Sequence, residues 1–282
     1  MIEDKGHAKP SASRSRLKNL WNTARTLESD EIEDAQVELV IGRERVVATT
    51  DDDGVFHVDQ PTTHGPLALG PQVVKARLID DRGHPTPPTE DHIFVLGESP
   101  LILVSDFDDT VMHSGVTRKR DLLKNALLKN AAQLKPVAGA GAAYTRSLKG
   151  SVDAVVYLSG SPQNFITRIR AFLEINGLPP GAIILKNFGI GEGADPIFDQ
   201  LSYKGARLEG LARAFPKARF ILVGDAGEKD PEIYRAFARK HPQQVLKTVI
   251  RRVKGAAIAP DRVKGMHVID DFTHIDLTAM SH

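Results

Sequence analysis

Ser105-Asp106-Phe107-Asp108-Asp109-Thr110 follows the apolar run Leu101–Val104 without a break. Carboxylates that close repel one another unless a cation, a proton or a donor intervenes. In an extended segment alternate side chains share a face, so Asp106 and Asp108 can address one metal ion and one substrate. A second apolar run, Ala154–Leu158, ends in Ser159-Gly160-Ser161-Pro162. Ser161 before Pro162 is a helix N-cap signal, whereas Ser159 lies nearer the strand end. There its hydroxyl could bind a phosphate oxygen, assisted by the free N–H groups of the next helix. A third run, Phe220–Val223, leads into Gly224-Asp225-Ala226-Gly227-Glu228-Lys229-Asp230-Pro231. Asp230 has an equal alternative as an N-cap, but Asp225 has fewer structural uses. Set beside Asp106, it would complete an all-oxygen site of the kind magnesium prefers. Lys204 starts the helix before this strand, where the helix dipole opposes it. That misfit favours an anionic neighbour, either the carboxylates or a bound phosphate.

The elements that must position these residues alternate after Pro100. Leu101–Val104, Ala154–Leu158, Ile183–Leu185, Phe220–Val223 and Val245–Ile250 are short continuous apolar runs, the mark of strands buried on both faces of a parallel sheet. Between them, helical patterns span Asn164–Asn176 (closed by Gly177), Lys204–Phe215 (stopped by Pro216) and Pro231–His241 (stopped by Pro242). This predicts an α/β fold with a doubly wound parallel sheet, in which ligands bind at the carboxyl ends of strands where the strand order reverses.

Before Gly97 the rhythm differs. Val37–Ile41, Val46–Thr50, Val55–Val58, Val73–Ile79 and His92–Leu96 are short runs separated by turn chemistry, and they predict a small N-terminal β-sandwich-like domain. Asp51-Asp52-Asp53-Gly54 reads as a solvated turn, since no Glu closes an EF-hand loop there. Residues 1–30 read as a polar tail and a short amphipathic helix over Leu17–Leu27, and residues 31–97 as the β-domain.

Composition narrows the chemistry. The chain of 282 residues contains no cysteine, which excludes disulfide scaffolds, thiolate zinc sites and cysteine nucleophiles. No apolar run approaches the ~18 residues of a membrane span, and Met1–Arg16 has no signal-peptide pattern. A cytoplasmic protein is expected. The net charge of +1 divides into −6 over residues 1–97 and +7 over 98–282, so the second part is the one suited to an anionic partner. Gly189-Ile190-Gly191-Glu192-Gly193 lacks dinucleotide-binding spacing, no phosphate-loop lysine motif is present, and no nucleic-acid partner is expected.

Taken in order, Asp-x-Asp-Asp-Thr, Ser, Lys and Gly-Asp-x4-Asp resemble the haloacid-dehalogenase-like superfamily of aspartyl-nucleophile phosphatases. Residues 105–110, Tyr157–Pro162 and Phe220–Tyr234 are more closely similar to the catalytic domain of the actin-patch phosphatidate phosphatase family. Gly160 and Ala226 stand where that pattern leads one to expect Ser. The resemblance implies a phosphatase domain over 98–282 and a phosphoric monoester hydrolase acting on phosphatidate or a related lipid phosphate. It implies Asp106 as nucleophile and Asp108 as general acid and base. Magnesium would be held by Asp106, the Asp108 carbonyl, Asp225 and Asp230, with Ser159 and Lys204 gripping phosphate oxygens. The same chemistry on a soluble or protein-borne phosphate, or an idle binding module, stands as the alternative.

Thr117–Lys135 carries Arg118, Lys119, Arg120, Lys124, Lys129 and Lys135 against one acid, Asp121. Two readings remain for this amphipathic stretch: peripheral contact with an anionic membrane, or a helix packed on the sheet with its charges in water.

Overall fold

The computed structural model describes residues 32–80, 82–113, 130–187, 200–253 and 258–279. The expected helix at Leu17–Leu27, the Gly189–Gly193 stretch and residues 117–129 of the basic segment lie outside them.

Strands β1 (Gln36–Ile41), β2 (Glu44–Thr49), β3 (Gly70–Ile79) and β4 (Thr89–Val95) form one antiparallel sheet in the order β2-β1-β3-β4. Val37, Leu39 and Val74 make its core, with Ile41, Val46 and Phe56 packed against them. The sandwich expectation is corrected here: among the described residues this is a single sheet. Val55–Val58 does not pair as a strand. After the turn closed by the Asp51 N–H to the Val55 carbonyl (2.8 Å) the chain runs on irregularly and delivers Phe56 to the sheet's apolar side.

The remaining elements are β5 (Leu101–Asp106), the pair β6 (Met112–His113) and β7 (Lys135–Pro136), α1 (Ala140–Gly150), β8 (Ala154–Pro162), α2 (Ile166–Ile175), β9 (Ala182–Lys186), α3 (Gln200–Ala214), β10 (Arg219–Asp225), α4 (Asp230–Lys240), β11 (Val245–Arg251) and β12 (His267–Ile269). Six of these strands form a sheet in the order β12-β11-β10-β5-β8-β9, every neighbouring pair parallel. Alternation along the strands divides the core between the two faces. Leu103, Val155, Tyr157, Ile221 and Val223 meet Tyr144 of α1 and Ile169, Phe172 and Leu173 of α2. Ile102, Val104, Val156, Leu158, Phe220 and Leu222 meet Tyr203, Leu208 and Ala212 of α3 and Ile233, Tyr234 and Phe237 of α4. The order reverses at β5, and the carboxyl ends of β5, β8 and β10 lie at the same edge of the sheet, where such folds bind ligands.

Two elements depart from expectation. Helix α1 has no sequence signature because its start is glycine and alanine. Gly139, the residue before it, has φ +75, and a Cβ there would lie 2.5 Å from the Phe272 backbone. The helix is held by Tyr144, whose ring packs edge-on to Phe272 with centroids 5.4 Å apart. The helix expected over 117–135 does not reach its C-terminal bound: Ala131–Gln133 is a 3-10 turn capped by Asn130, and Lys135 lies in β7.

Candidate functional site

Asp106 ends β5, Asp225 ends β10 and Asp230 begins α4. Each offers a carboxylate oxygen within 4.8 Å of those of the other two, and none is more than 1% exposed. Lys204, equally buried, places its Nζ 2.6 Å from Asp106 Oδ1, 2.7 Å from Asp230 Oδ1 and 3.6 Å from Glu228 Oε2. Its place in the helix corrects the sequence reading. Helix α3 begins at Gln200, so Lys204 stands a turn inside, and the acid cluster rather than a terminal dipole accounts for it. Burial opposes its charge, but Asp106, Asp230 and Glu228 hold its pKa well above the ordinary lysine value. Burial likewise drives Asp106 well above the usual carboxylate range, against the pull of Lys204.

Each acid is oriented by its own element. Asp106 Oδ2 accepts from the Thr110 hydroxyl at 3.0 Å, across the turn in which Asp109 takes φ +53. Asp230 is not a side-chain N-cap: its Oδ2 accepts from the Asp225 N–H at 3.1 Å, and its Oδ1 is taken by Lys204. That approach requires Gly224, because a Cβ there would lie 2.5 Å from Asp230 Oδ2 and 2.7 Å from the Tyr234 ring. Asp225 Oδ1 accepts from the N–H groups of Gly227 (2.6 Å) and Glu228 (3.1 Å). Its Oδ2 is buried and has no hydrogen-bond partner. Burial and Asp230 together push the Asp225 carboxyl up to about 8.

Asp108 has a different set of partners. Its Oδ2 accepts from the hydroxyls of Ser159 (3.0 Å) and Ser161 (3.3 Å), and Ser159 Oγ accepts in turn from the Ser161 N–H at 3.0 Å. The carboxylate of Asp108 is therefore not a member of the acid triad, and Ser159 is engaged with Asp108. Burial, with Glu228 adding to it, pushes the Asp108 pKa up to about 6.

Several contributors were not singled out in the sequence. Glu228 brings a further carboxylate to Lys204. Arg168, in α2, is a neighbour of Asp108, and burial lowers its pKa to about 10. Arg251 donates to the Asp109 carbonyl at 2.5 Å and lies 3.2 Å from His113 Nδ1. Arg262 grips the loop after Asp225. Such roles leave no local sequence signal, since lone arginines are mostly surface residues. Glu228 alone stood inside a motif already in view.

The donor set fits a hard divalent cation. Three buried carboxylates converge with one ammonium against two of them, all donors are oxygens, and the orphaned Asp225 Oδ2 is an acceptor that a cation would satisfy.

A family profile described as "Phosphatidate phosphatase APP1, catalytic domain" matches residues 101–252, from the first residue of β5 to one residue past β11. Phosphatidate phosphatase APP1 of Saccharomyces cerevisiae is 33% identical over 151 residues, which is 53% of this chain and 25% of that protein. An uncharacterised protein of Schizosaccharomyces pombe is 25% identical over 160 residues, 56% of this chain and 26% of its own. The chain thus spans about a quarter of the length of these relatives. Among solved structures, a chain of the Pnkp1/Rnl/Hen1 complex aligns with TM-score 0.40 at 12% identity, covering 54% of this chain and 46% of its own. The family match takes in more than half of the residues and every acid of the triad, and on that match the chain belongs to the phosphatidate phosphatase APP1 catalytic-domain family.

Proposed function

We propose that this protein is a Mg²⁺-dependent phosphoric monoester hydrolase of haloacid-dehalogenase-like, doubly wound architecture, acting through an aspartyl-phosphate on Asp106. Its substrate is phosphatidate or a related lipid phosphate. The observation that carries the reading is the buried convergence of Asp106, Asp225 and Asp230, two of them paired with Lys204, within a chain of this family. Residues 98–282 are the phosphatase unit in this reading, and 31–97 a separate β-unit.

Asp106 attacks phosphorus with a carboxylate oxygen while the bond to the leaving oxygen breaks. Lys204, 2.6 Å from that carboxylate, favours its ionised form and works against the burial that raises its pKa. Thr110 fixes its second oxygen, so the attacking atom is oriented before substrate arrives. Asp108, half protonated near pH 6, gives its proton to the leaving oxygen. The resulting carboxylate then takes a proton from water, which attacks the acyl phosphate and returns Asp106 and inorganic phosphate. Two small displacements replace one difficult step. Ser159 positions Asp108 through the 3.0 Å hydrogen bond and turns toward phosphate when substrate displaces it. Asp106, Asp225 and Asp230 would hold Mg²⁺, which would supply the positive charge that lets a phosphate dianion approach a carboxylate.

The test is phosphate release across lipid and soluble phosphomonoesters, with and without Mg²⁺. The native protein should release phosphate from phosphatidate vesicles only with the metal. Asp106→Asn should lower that rate by at least ~10⁴-fold, the scale of losing a covalent nucleophile. An Asp106→Asn protein with undiminished turnover removes the nucleophile assignment.

A further inference from the structure

We infer that Arg262 is a positioning residue for the cation site, acting on Asp225 through the Ala226–Gly227 peptide; the inference rests on the metal reading above. Arg262 comes from the segment between β11 and β12, outside the residues of the family match. Its guanidinium is used as a fork. Nε donates to Glu232 Oε1 at 2.5 Å and Nη2 to Glu232 Oε2 at 2.9 Å, a two-pronged pair on the first turn of α4. The outward donors reach the β10–α4 loop: Nη1 meets the Ala226 carbonyl at 2.5 Å, and Nη2 also bonds the Glu228 carbonyl.

One peptide unit connects this fork to the cation site. The Ala226 carbonyl accepts from Arg262, and the N–H of the same peptide, on Gly227, donates to Asp225 Oδ1 at 2.6 Å. A cation on the carbonyl end polarises the amide and strengthens the donor at its other end. The Glu228 N–H adds a second donor to the same oxygen at 3.1 Å. Oδ1 is thereby fixed to the loop, and Oδ2, the buried oxygen without a partner, is the one left for the cation. The fork also opposes the repulsion within the site. Asp106, Asp225, Asp230 and Glu228 repel one another, and Lys204 answers three of them by pairing with Asp106, Glu228 and Asp230. Arg262 holds the loop from outside by its carbonyls, and its positive charge also acts on Asp225 and Asp230.

Lysine cannot replace it, because one ammonium cannot span Glu232 and two carbonyls in a plane. Arg235 supports the arrangement by donating to the carbonyls of Asp261 (2.8 Å) and Arg262 (2.7 Å), which pins the turn that carries the fork.

The experiment is calorimetric titration of the full chain with MgCl₂, paired with thermal melts in EDTA and in saturating Mg²⁺. Arg262→Met should bind Mg²⁺ at least tenfold more weakly than the native protein and show a smaller Mg²⁺-induced rise in Tm. Arg262→Lys, the gentler change, should also weaken binding, and Glu232→Gln should fall between native and Arg262→Met. Lys240→Met, which removes an exposed pair with Glu209, is the control and should leave the dissociation constant within twofold. A residue that merely stabilises the fold would lower both melts equally and leave Mg²⁺ affinity alone; that result for Arg262→Met or Arg262→Lys overturns the inference. Asp225→Asn serves as reference and should abolish binding. If Asp225→Asn binds Mg²⁺ like the native protein, the metal assignment itself fails and takes this inference with it.

Discussion

Ser159 and Asp108 show how one hydrogen bond sets a reactive group. At 3.0 Å the Ser159 hydroxyl donates to Asp108 Oδ2, which favours the ionised acid, while burial favours the neutral one. Burial wins, and the group titrates near pH 6 instead of in the ordinary carboxylate range. Ser159→Ala would remove the donor, leave Asp108 protonated to higher pH and free it to rotate. The loss should fall on leaving groups that need a proton. On alkyl phosphates kcat should drop ~10²-fold, the usual worth of positioned proton transfer. On nitrophenyl phosphate, whose leaving group departs without help, the drop should stay within a few-fold. Steady-state kinetics on the two ester classes check this; an equal loss on both would move Ser159 from the proton donor to the phosphate.

Strands and turns position these groups, and one turn outside the crevice carries its own pH signature. Glu44, at the start of β2, accepts from the Thr63 N–H (3.0 Å), the Thr63 hydroxyl (2.8 Å) and the His64 N–H (2.5 Å). These donors hold its pKa at about 2, below the usual 4.5. A depressed carboxylate stabilises the fold above its unfolded pKa, and that contribution is lost as pH falls through its folded value. Glu44→Gln should therefore lower Tm at neutral pH, with the difference shrinking from about pH 4.5 and vanishing near pH 2. Melts across that range test it, and a constant difference would mean that Glu44 acts by shape alone. The same scale decides what could be foreseen. All five continuous apolar runs after Pro100 became strands of the parallel sheet, because burial on both faces imposes that pattern directly. Asp106 and Asp225 were legible because they end strands, where spacing in sequence becomes spacing in space, whereas Asp230, at the start of α4, read equally well as a helix cap. Helix α1 was hidden behind Gly139 and Gly141, whose need arises from the distant backbones of Phe272 and of Asn176–Gly177. The sandwich reading counted Val55–Val58 as a pairing strand, and alternation alone cannot reveal which partner edge is present. Arg251 and Arg262 act through carbonyls far away in sequence, which no local pattern encodes.

At the scale of the molecule, charge is divided: −6 over residues 1–97 and +7 over 98–282. Part of this is spent internally, where Asp91 of β4 pairs with Arg170 of α2. What remains makes the catalytic part the positive one, while among the described residues no helix is long and apolar enough to cross a membrane. On the proposed lipid-phosphate reading, the positive charge of 98–282 is a means of meeting the substrate at an anionic surface. The basic stretch Arg118-Lys119-Arg120 lies outside the described residues, so its role is argued from sequence alone. At about 1 kcal/mol for each basic residue near an anionic surface, changing all three to Ser should weaken vesicle binding ~100-fold. Added salt should weaken native binding in the same direction, since the Debye length shrinks from about 10 Å at 0.1 M to about 3 Å at 1 M. Sedimentation with anionic and neutral vesicles measures the first effect, and phosphate release from a soluble short-chain ester provides the reference. The triple variant should lose turnover on anionic vesicles and keep it on the soluble ester. If it binds anionic vesicles as the native protein does, the stretch is a solvated face and the lipid must be captured elsewhere. If it loses both activities together, the stretch supports the crevice itself, and the membrane assignment falls.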